Sequence, residues 1–295
     1  MQQKKLDIVD TQVHIGPGKI EETLAAMNAL GIQSILIDEY WLQDFFSYNP
    51  HHKLKNGAIR PICPTAELAA QLYPNRFSWM LRINPQDTEY ASVIRLVRDA
   101  PSGLAIRIIP GMNPLDIKAF HEGVYDKIMY ETANCGLPLS LYLPDQPELI
   151  GKAARKYPDL RIIVDHCGLY NNEMRVNLSG GKVFSQKEQM EMFDKVLALS
   201  DFPNVALKWA HYSTMFQGPA FPGEEIRSVL RKTINAFGVD RILWASDFSV
   251  NQSGENWSQI LYSMLGNSEL SEDELTAIIG KNARTWLNWP SGVTK

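Results

Sequence analysis

Cysteine is scarce in this chain: Cys63, Cys135 and Cys167 are the only three in 295 residues, odd in number and widely spaced. That pattern excludes a disulfide framework or a zinc knuckle, which need cysteines at close, repeated spacing, and it fits a reducing compartment. Positive charge is not in excess either. The formal net charge is −4, and no basic run or basic amphipathic stretch occurs. A general nucleic-acid or membrane-surface binder is therefore not expected, and recognition by charge has to be local. Long hydrophobic runs are missing as well. The start, "MQQKKLDIVD", has no apolar core of a signal peptide, and no stretch approaches membrane-spanning length, so a cytoplasmic protein is the expectation. Short-period repeats and low-complexity tracts are also absent from the sequence.

What is present is alternation. Apolar residues make up 45% of the chain, enough for a full core, and one domain spanning 1–295 is the default. Short β-branched runs recur at "LDIVDTQVH", "QSILIDEY", "FSWMLRINP", "GLAIRIIP", "PLSLYLP", "RIIVDHCG", "NVALKWA" and "RILWASDF". Between them, apolar residues three and four apart predict helices over 20–30, 90–99, 116–133, 147–157, 185–199 and 224–237. Strand then helix, repeated eight times, specifies an α/β fold, a single (β/α)8 TIM-type barrel. A closing C-terminal helix is expected in "SEDELTAIIGKNARTWLNW", with Ser271 as N-cap and Glu274 at the capping-box position. Several segments that leave a strand are long, at 41–57, 169–184, 211–223 and 249–257. In such a barrel the loops after the strands build the active face, so elaboration falls where chemistry belongs.

Side chains alternate along a strand, so residues of one parity near its C-terminal end point into the barrel mouth. On that rule Asp10, Gln12 and His14 share a face of the first strand. The third strand offers Arg82, the fourth Ala105, Arg107 and Ile109, and the fifth Ser140 and Tyr142. The sixth gives Ile162, Val164 and His166, the seventh Ala206 and Lys208, and the eighth Leu243, Ala245 and Asp247. A one-residue slip of register would send Arg107 or Lys208 outward instead. Tyr142 could equally serve as packing, and each histidine taken singly could be a satisfied structural group. Arg82, Arg107 and Lys208 face one obvious carboxylate, Asp247, and half-buried cations are costly without a matching anion. The expected ligand is therefore a small anion, of carboxylate or sugar-acid type, for which arginine's planar fork is suited. His51 and His52 follow an aromatic-rich loop with Tyr40, Trp41, Phe45, Phe46 and Tyr48. That pair either contacts substrate over the mouth or is simply solvated.

Four segments in order, "IVDTQVHIG", "IIVDHCG", "ILWASDFSV" and "IIGKNARTWL", resemble the amidohydrolase superfamily in its amidohydrolase-related (amidohydrolase 2) branch. The resemblance spans nearly the whole chain and implies a barrel whose site lies at the strand C-termini and acts on small, often aromatic- or sugar-derived acids. Metal-dependent members hold a divalent ion with two first-strand histidines, a fifth-strand histidine, sometimes a sixth-strand histidine, and an eighth-strand aspartate. By that resemblance His14, His166 and Asp247 match ligand positions, whereas Gln12 and Tyr142 stand where histidines are usual. A neutral amide is a poor zinc ligand. The departures bring the chain nearest in pattern to the lactonases of 2-pyrone-4,6-dicarboxylate and sugar-acid lactones, some of which work without metal.

The preferred expectation is thus an enzyme with no required cofactor, a lactone hydrolase. Asp247 activates water, His14, His166 and the Gln12 amide bond the developing oxyanion, Arg82, Arg107 and Lys208 hold the substrate carboxylate, and Tyr142 holds its ring. A general base supplies roughly 10²–10⁴-fold and an oxyanion donor roughly 10²–10³-fold. One alternative is a mononuclear metal-dependent hydrolase or decarboxylase, with His14, His166 and Asp247 on one divalent ion such as zinc. Another is a barrel that only binds a small acid, because fold alone does not establish function. The expected partner is a small-molecule substrate, and assembly into a homo-oligomer is left open.

Overall fold

The apolar runs form the strands β1 (Ile8–Val13), β2 (Ile32–Asp38), β3 (Phe77–Arg82), β4 (Gly103–Ile108), β5 (Leu139–Leu141), β6 (Ile162–Val164), β7 (Val205–Trp209) and β8 (Ile242–Trp244) in the computed structural model. The structure describes residues 6–40, 50–219, 221–248 and 256–290. The expectations for Trp41, Phe45, Phe46 and Tyr48, and for most of 249–257, therefore lie outside the described residues. The strands form one eight-stranded sheet in chain order, every neighbouring pair parallel. Runs buried on both faces favour that arrangement. Beyond β8 the wall returns to β1. The His14 amide donates to the Phe248 carbonyl at 2.9 Å, and the Thr11 hydroxyl donates to the Trp244 carbonyl at 2.7 Å. The result is the expected (β/α)8 barrel.

Helices Ile20–Leu30, Tyr90–Asp99, Pro147–Lys156, Gln186–Leu197 and Glu224–Phe237 follow strands as the apolar spacing predicts. In the last of these Ile226, Leu230, Thr233, Ile234 and Phe237 are buried, a stripe at helical spacing. The helix expected over 116–133 is in fact two, Pro114–His121 and Asp126–Asn134. Gly123 between them sits at φ +82°, a left-handed conformation that ends a right-handed helix. Helices Pro64–Leu72, Asn172–Ser179 and Trp257–Leu265 were not expected from spacing. The first is capped from a distance, because the Glu39 carboxylate accepts from the Thr65 and Ala66 amides at 3.1 and 2.9 Å. His51–Lys53 pairs antiparallel with Ile59–Pro61 as a small exposed hairpin beside the barrel. Among the described residues no helix is long and apolar enough to cross a membrane.

Apolar packing falls into two main shells and a small third cluster of Met112, Tyr142 and Tyr170. The larger lies between barrel and helices; the inner one gathers Val9, Leu36, Met80, Ala105, Ile163, Ala206 and Leu243 with Trp286, Leu287 and Trp289 of the closing segment. That segment plugs the end of the barrel opposite the mouth. It starts at the expected capping box, where Ser271 accepts from the Glu274 amide and Glu274 accepts from the Ser271 amide. Asn282 then ties it to the base of β8 by donating to the Val239 and Ile242 carbonyls at 2.7 and 2.8 Å. Gly280 is required where the segment crosses the start of β1, since a Cβ there would stand 1.7 Å from the Asp7 carbonyl oxygen.

Candidate active site

The inner shell shows which parity faces inward, and it corrects two expectations. On β6 the inward residues are Ile163 and Asp165, not Ile162 and Val164, which pack in the outer shell. His166 still reaches the mouth because it lies past the strand end at φ 51°. On β1 the pairing register shifts between Asp10 and Val13, so Asp10 and Gln12 part company. Asp10 is turned to Trp257 Nε1 at 2.8 Å and the Ser246 amide at 3.0 Å. Burial raises its pKa to about 6, against the pull of those hydrogen bonds.

Beneath the mouth runs an unbroken row of charges, buried except for half-buried Arg82 at one end. Arg82 grips Asp38 with Nε and Nη2 at 2.8 and 2.6 Å. Arg107 joins Asp38 to Asp165, donating to the latter from Nε at 2.9 Å. Lys208 ends the row, donating to Asp165 Oδ1 at 2.6 Å, Gln12 Oε1 at 2.7 Å and Ser140 Oγ at 3.0 Å. Burial alone would raise both carboxyls, yet the adjacent cations hold Asp38 and Asp165 well below the usual carboxylate range. The three cations therefore do not lack anions, contrary to what the sequence suggests: Asp38 and Asp165 supply matching charge within the protein. Lys208 is 1% exposed, and neither it nor Gln12 is on the cavity wall.

Above this row lies a cavity of about 480 Å³ lined by His14, Arg82, Arg107, Tyr142, His166 and Asp247, together with Tyr40, Asn171, Met174 and His211. Three imidazoles surround the Asp247 carboxylate. His211 Nε2 is 2.6 Å from Oδ2, His166 Nε2 is 3.8 Å from Oδ2, and His14 Nε2 is 3.0 Å from Oδ1. His166, His211 and Asp247 share left-handed backbone, with φ of 51°, 52° and 51°. Non-glycine residues rarely adopt it, and such strain gathers at functional sites. His211 was not singled out from the sequence beyond opening a long loop. Its signal was there: it follows the end of β7 by two residues, as His166 follows β6.

His14 Nδ1 lies 2.7 Å from the Asp38 backbone oxygen, which can only accept, so Nδ1 carries a hydrogen. His14 Nε2 faces Asp247 Oδ1 at 3.0 Å, and buried His166 Nδ1 has no hydrogen-bond partner among the described residues. Burial pulls the His166 pKa down to about 3, so its ring stays neutral near pH 7. For Asp247 burial works upward, but the facing imidazoles hold it well below the normal range. One atom from each of His166, His211 and Asp247 lies within 4.8 Å of the others, a nitrogen and carboxylate set suited to one small divalent cation.

In fold the chain is similar to an amidohydrolase from Burkholderia multivorans solved with bound zinc, at TM-score 0.71 and 13% identity, covering 96% of this chain and 100% of that one. It is similar as well to a protein described as a probable 2-pyrone-4,6-dicarboxylic acid hydrolase from Acinetobacter baumannii with citric acid bound. There the TM-score is 0.66 at 13% identity, covering 96% and 100% of the two chains. A third likeness is 5-carboxyvanillate decarboxylase from Novosphingobium aromaticivorans, complexed with manganese and 4-hydroxy-3-methoxy-5-nitrobenzoic acid. It has TM-score 0.64 and 15% identity, with 98% and 97% covered. No curated protein matches the chain in sequence. The expectation of a site needing no metal is overturned by these findings. It counted two imidazoles and one carboxylate, whereas His211 makes a metal-capable group with His166 and Asp247, and fold neighbours hold zinc or manganese. The family model described as Amidohydrolase matches residues 69–289, well over half the sequence, and the chain belongs to that family.

Proposed function

We propose that the protein hydrolyses a small carboxylate-bearing lactone at a mononuclear metal centre. The observation that carries this reading is the convergence of His14, His166 and His211 on Asp247 beside Arg82. His166, His211 and Asp247 would hold the ion. When bound, a divalent ion polarises a carbonyl oxygen and makes water more acidic.

The protein's own groups do the rest. Asp247 Oδ1 accepts the proton of the water that attacks the lactone carbonyl, and returns it to the ring oxygen as the carbon–oxygen bond breaks. His14, held by the Asp38 carbonyl, keeps its Nε2 toward that carboxylate. Arg82 spends Nε and Nη2 on Asp38, and its Nη1 makes no hydrogen bond among the described residues, so it is the donor open to a substrate carboxylate. Tyr142 is buried and its pKa is raised well above the ordinary value by that burial, so its hydroxyl stays protonated and can donate to a substrate oxygen. Arg82, Arg107 and Lys208 pair with Asp38 and Asp165, and the Asp247 carboxylate adds a third negative charge near Arg107. A bound divalent ion then leaves the cavity positive and attracts an anion.

The test is elemental analysis of purified protein together with a pH-indicator assay on pyrone and aldono lactones. About one equivalent of zinc or manganese is expected, with activity lost on chelation and restored by metal. Asp247→Asn should lower kcat at least ~100-fold, the scale of a lost general base, while the protein still binds the hydroxy-acid product. Full activity in either the chelated protein or that variant would sink the reading. A decarboxylase is the second reading, favoured by the position of Arg82 and Arg107 on the cavity wall, where they would hold the carboxylate that leaves. Release of carbon dioxide rather than acid separates the two.

A further inference from the structure

A second cavity, of about 310 Å³, opens beside the first, between the ends of β3 and β4 and the exposed hairpin. Arg82, Ile109 and Met112 line both cavities, so the open face of Arg82 stands at their junction. Its walls are chiefly apolar, with Ile59, Ile62, Met80, Leu81, Ile83 and Tyr125.

Three carboxylates also touch this space, and each is already engaged. Asp38 is gripped by Arg82 and Arg107, Glu39 caps helix Pro64–Leu72, and Asp116 accepts from Asn113 Nδ2 at 2.6 Å. Of the three, Asp38 is matched by two cations while Glu39 and Asp116 are held by neutral donors, and the predominantly apolar lining favours an apolar arm that replaces water against it.

We propose that this compartment is a specificity subsite that takes a hydrophobic or aromatic arm attached to the substrate next to the carboxylate held by Arg82. This rests on the assignment of Arg82 as carboxylate anchor in the proposed function. A compact sugar acid would leave the subsite empty; an acid with an aryl or alkyl extension fills it.

The test is calorimetric binding of benzoate, phenylacetate, 3-phenylpropionate and 4-phenylbutyrate to the zinc-loaded protein. Affinity should rise about three- to fourfold with each methylene, the scale of apolar burial. Ile59→Trp, at a rim residue that is 41% exposed, should flatten that rise while leaving benzoate within about twofold. Gln86→Trp, also on the compartment wall and exposed, provides a second block should the first variant misfold. Leu115→Trp, at a residue 77% exposed and outside both cavities, should change nothing. Binding of all four acids with equal affinity, or an undiminished rise in both blocking variants, overturns the subsite and leaves the anchor intact. Failure of every acid to bind overturns the anchor, and the subsite with it.

Discussion

At the residue scale, the cluster around Asp247 is held in a conformation that its side chains do not favour. His211 at φ 52° makes the cost measurable. Asparagine tolerates left-handed backbone, while a β-branched residue does not. His211→Val should therefore unfold about 1–3 kcal/mol more easily than His211→Asn in metal-free protein, as measured by denaturant titration, while both lose metal affinity. Lys208 offers a different test. Its ammonium is matched to Asp165 in the interior. Removing it leaves buried Asp165 with Arg107 as its cationic partner and half its charge-assisted bonds lost, so Lys208→Met should cost stability, by up to about 3–5 kcal/mol, the scale of a broken buried pair. Adding Asp165→Asn should recover part of it. Equal stability of Lys208→Met and wild type would show that the row is not electrostatically coupled.

At the element scale, helix Asn172–Ser179 forms one side of the mouth, with Asn171, Glu173 and Met174 on the cavity wall. It is fastened by Arg175, which donates to Asp145 Oδ2 at 2.7 Å, Asn172 Oδ1 at 2.8 Å and Gln189 Oε1 at 2.8 Å, and stacks on Phe184 at 3.7 Å. Arg175→Met should loosen this wall and raise KM about tenfold, with kcat changed less, because the lost contribution is uniform binding rather than transition-state contact. Steady-state kinetics separates these parameters; a fall in kcat alone would contradict the assignment. These elements also show what the sequence made legible. The eight strands were readable because apolar β-branched runs have few other fates. Helix Asn172–Ser179 was not, since it is short and its Arg175 anchor reaches Asp145, thirty residues back in the chain. Asp38 and Asp165 were overlooked for the same reason: they count as partners of Arg107 only once the barrel brings the ends of the alternate strands β2, β4 and β6 together inside it. The inward face of β6 was misjudged because alternation ends with the strand, and the left-handed backbone at His166 then turns the side chain back to the mouth.

At the scale of the whole molecule, pH links these groups to stability. His166, pulled down to about 3, leaves the folded state with fewer protons than the unfolded chain below 6.5, so by itself it makes stability fall as pH drops from 6.5 toward 3. Asp10, raised to about 6, has the opposite sign: the folded state keeps a proton that the unfolded chain loses above 3.8, so stability falls as pH rises from 3.8 to about 6. The two slopes, each about 1.4 kcal/mol per pH unit, oppose one another between 3.8 and 6. Below 3.8 the lowered carboxyls of Asp38 and Asp165 add to that of His166 and the fall becomes steep. Metal-free protein should thus show a nearly level unfolding free energy from pH 6 to 4 and collapse below it. Asp10→Asn should expose the His166 slope, with the decline starting near pH 6.5; a level profile in that variant would refute the balance.

The row from Arg82 through Asp38, Arg107 and Asp165 to Lys208 draws one residue each from β3, β2, β4, the end of β6 and β7. Slipping any of these strands by one position would turn its charge to the helix side and strand its neighbours in the interior. Apolar residues on both faces of a barrel strand cannot detect that error, since either face is content in the core. The ionic row therefore proofreads the alignment of five strands at once, rejecting misthreaded barrels before a site can form on them.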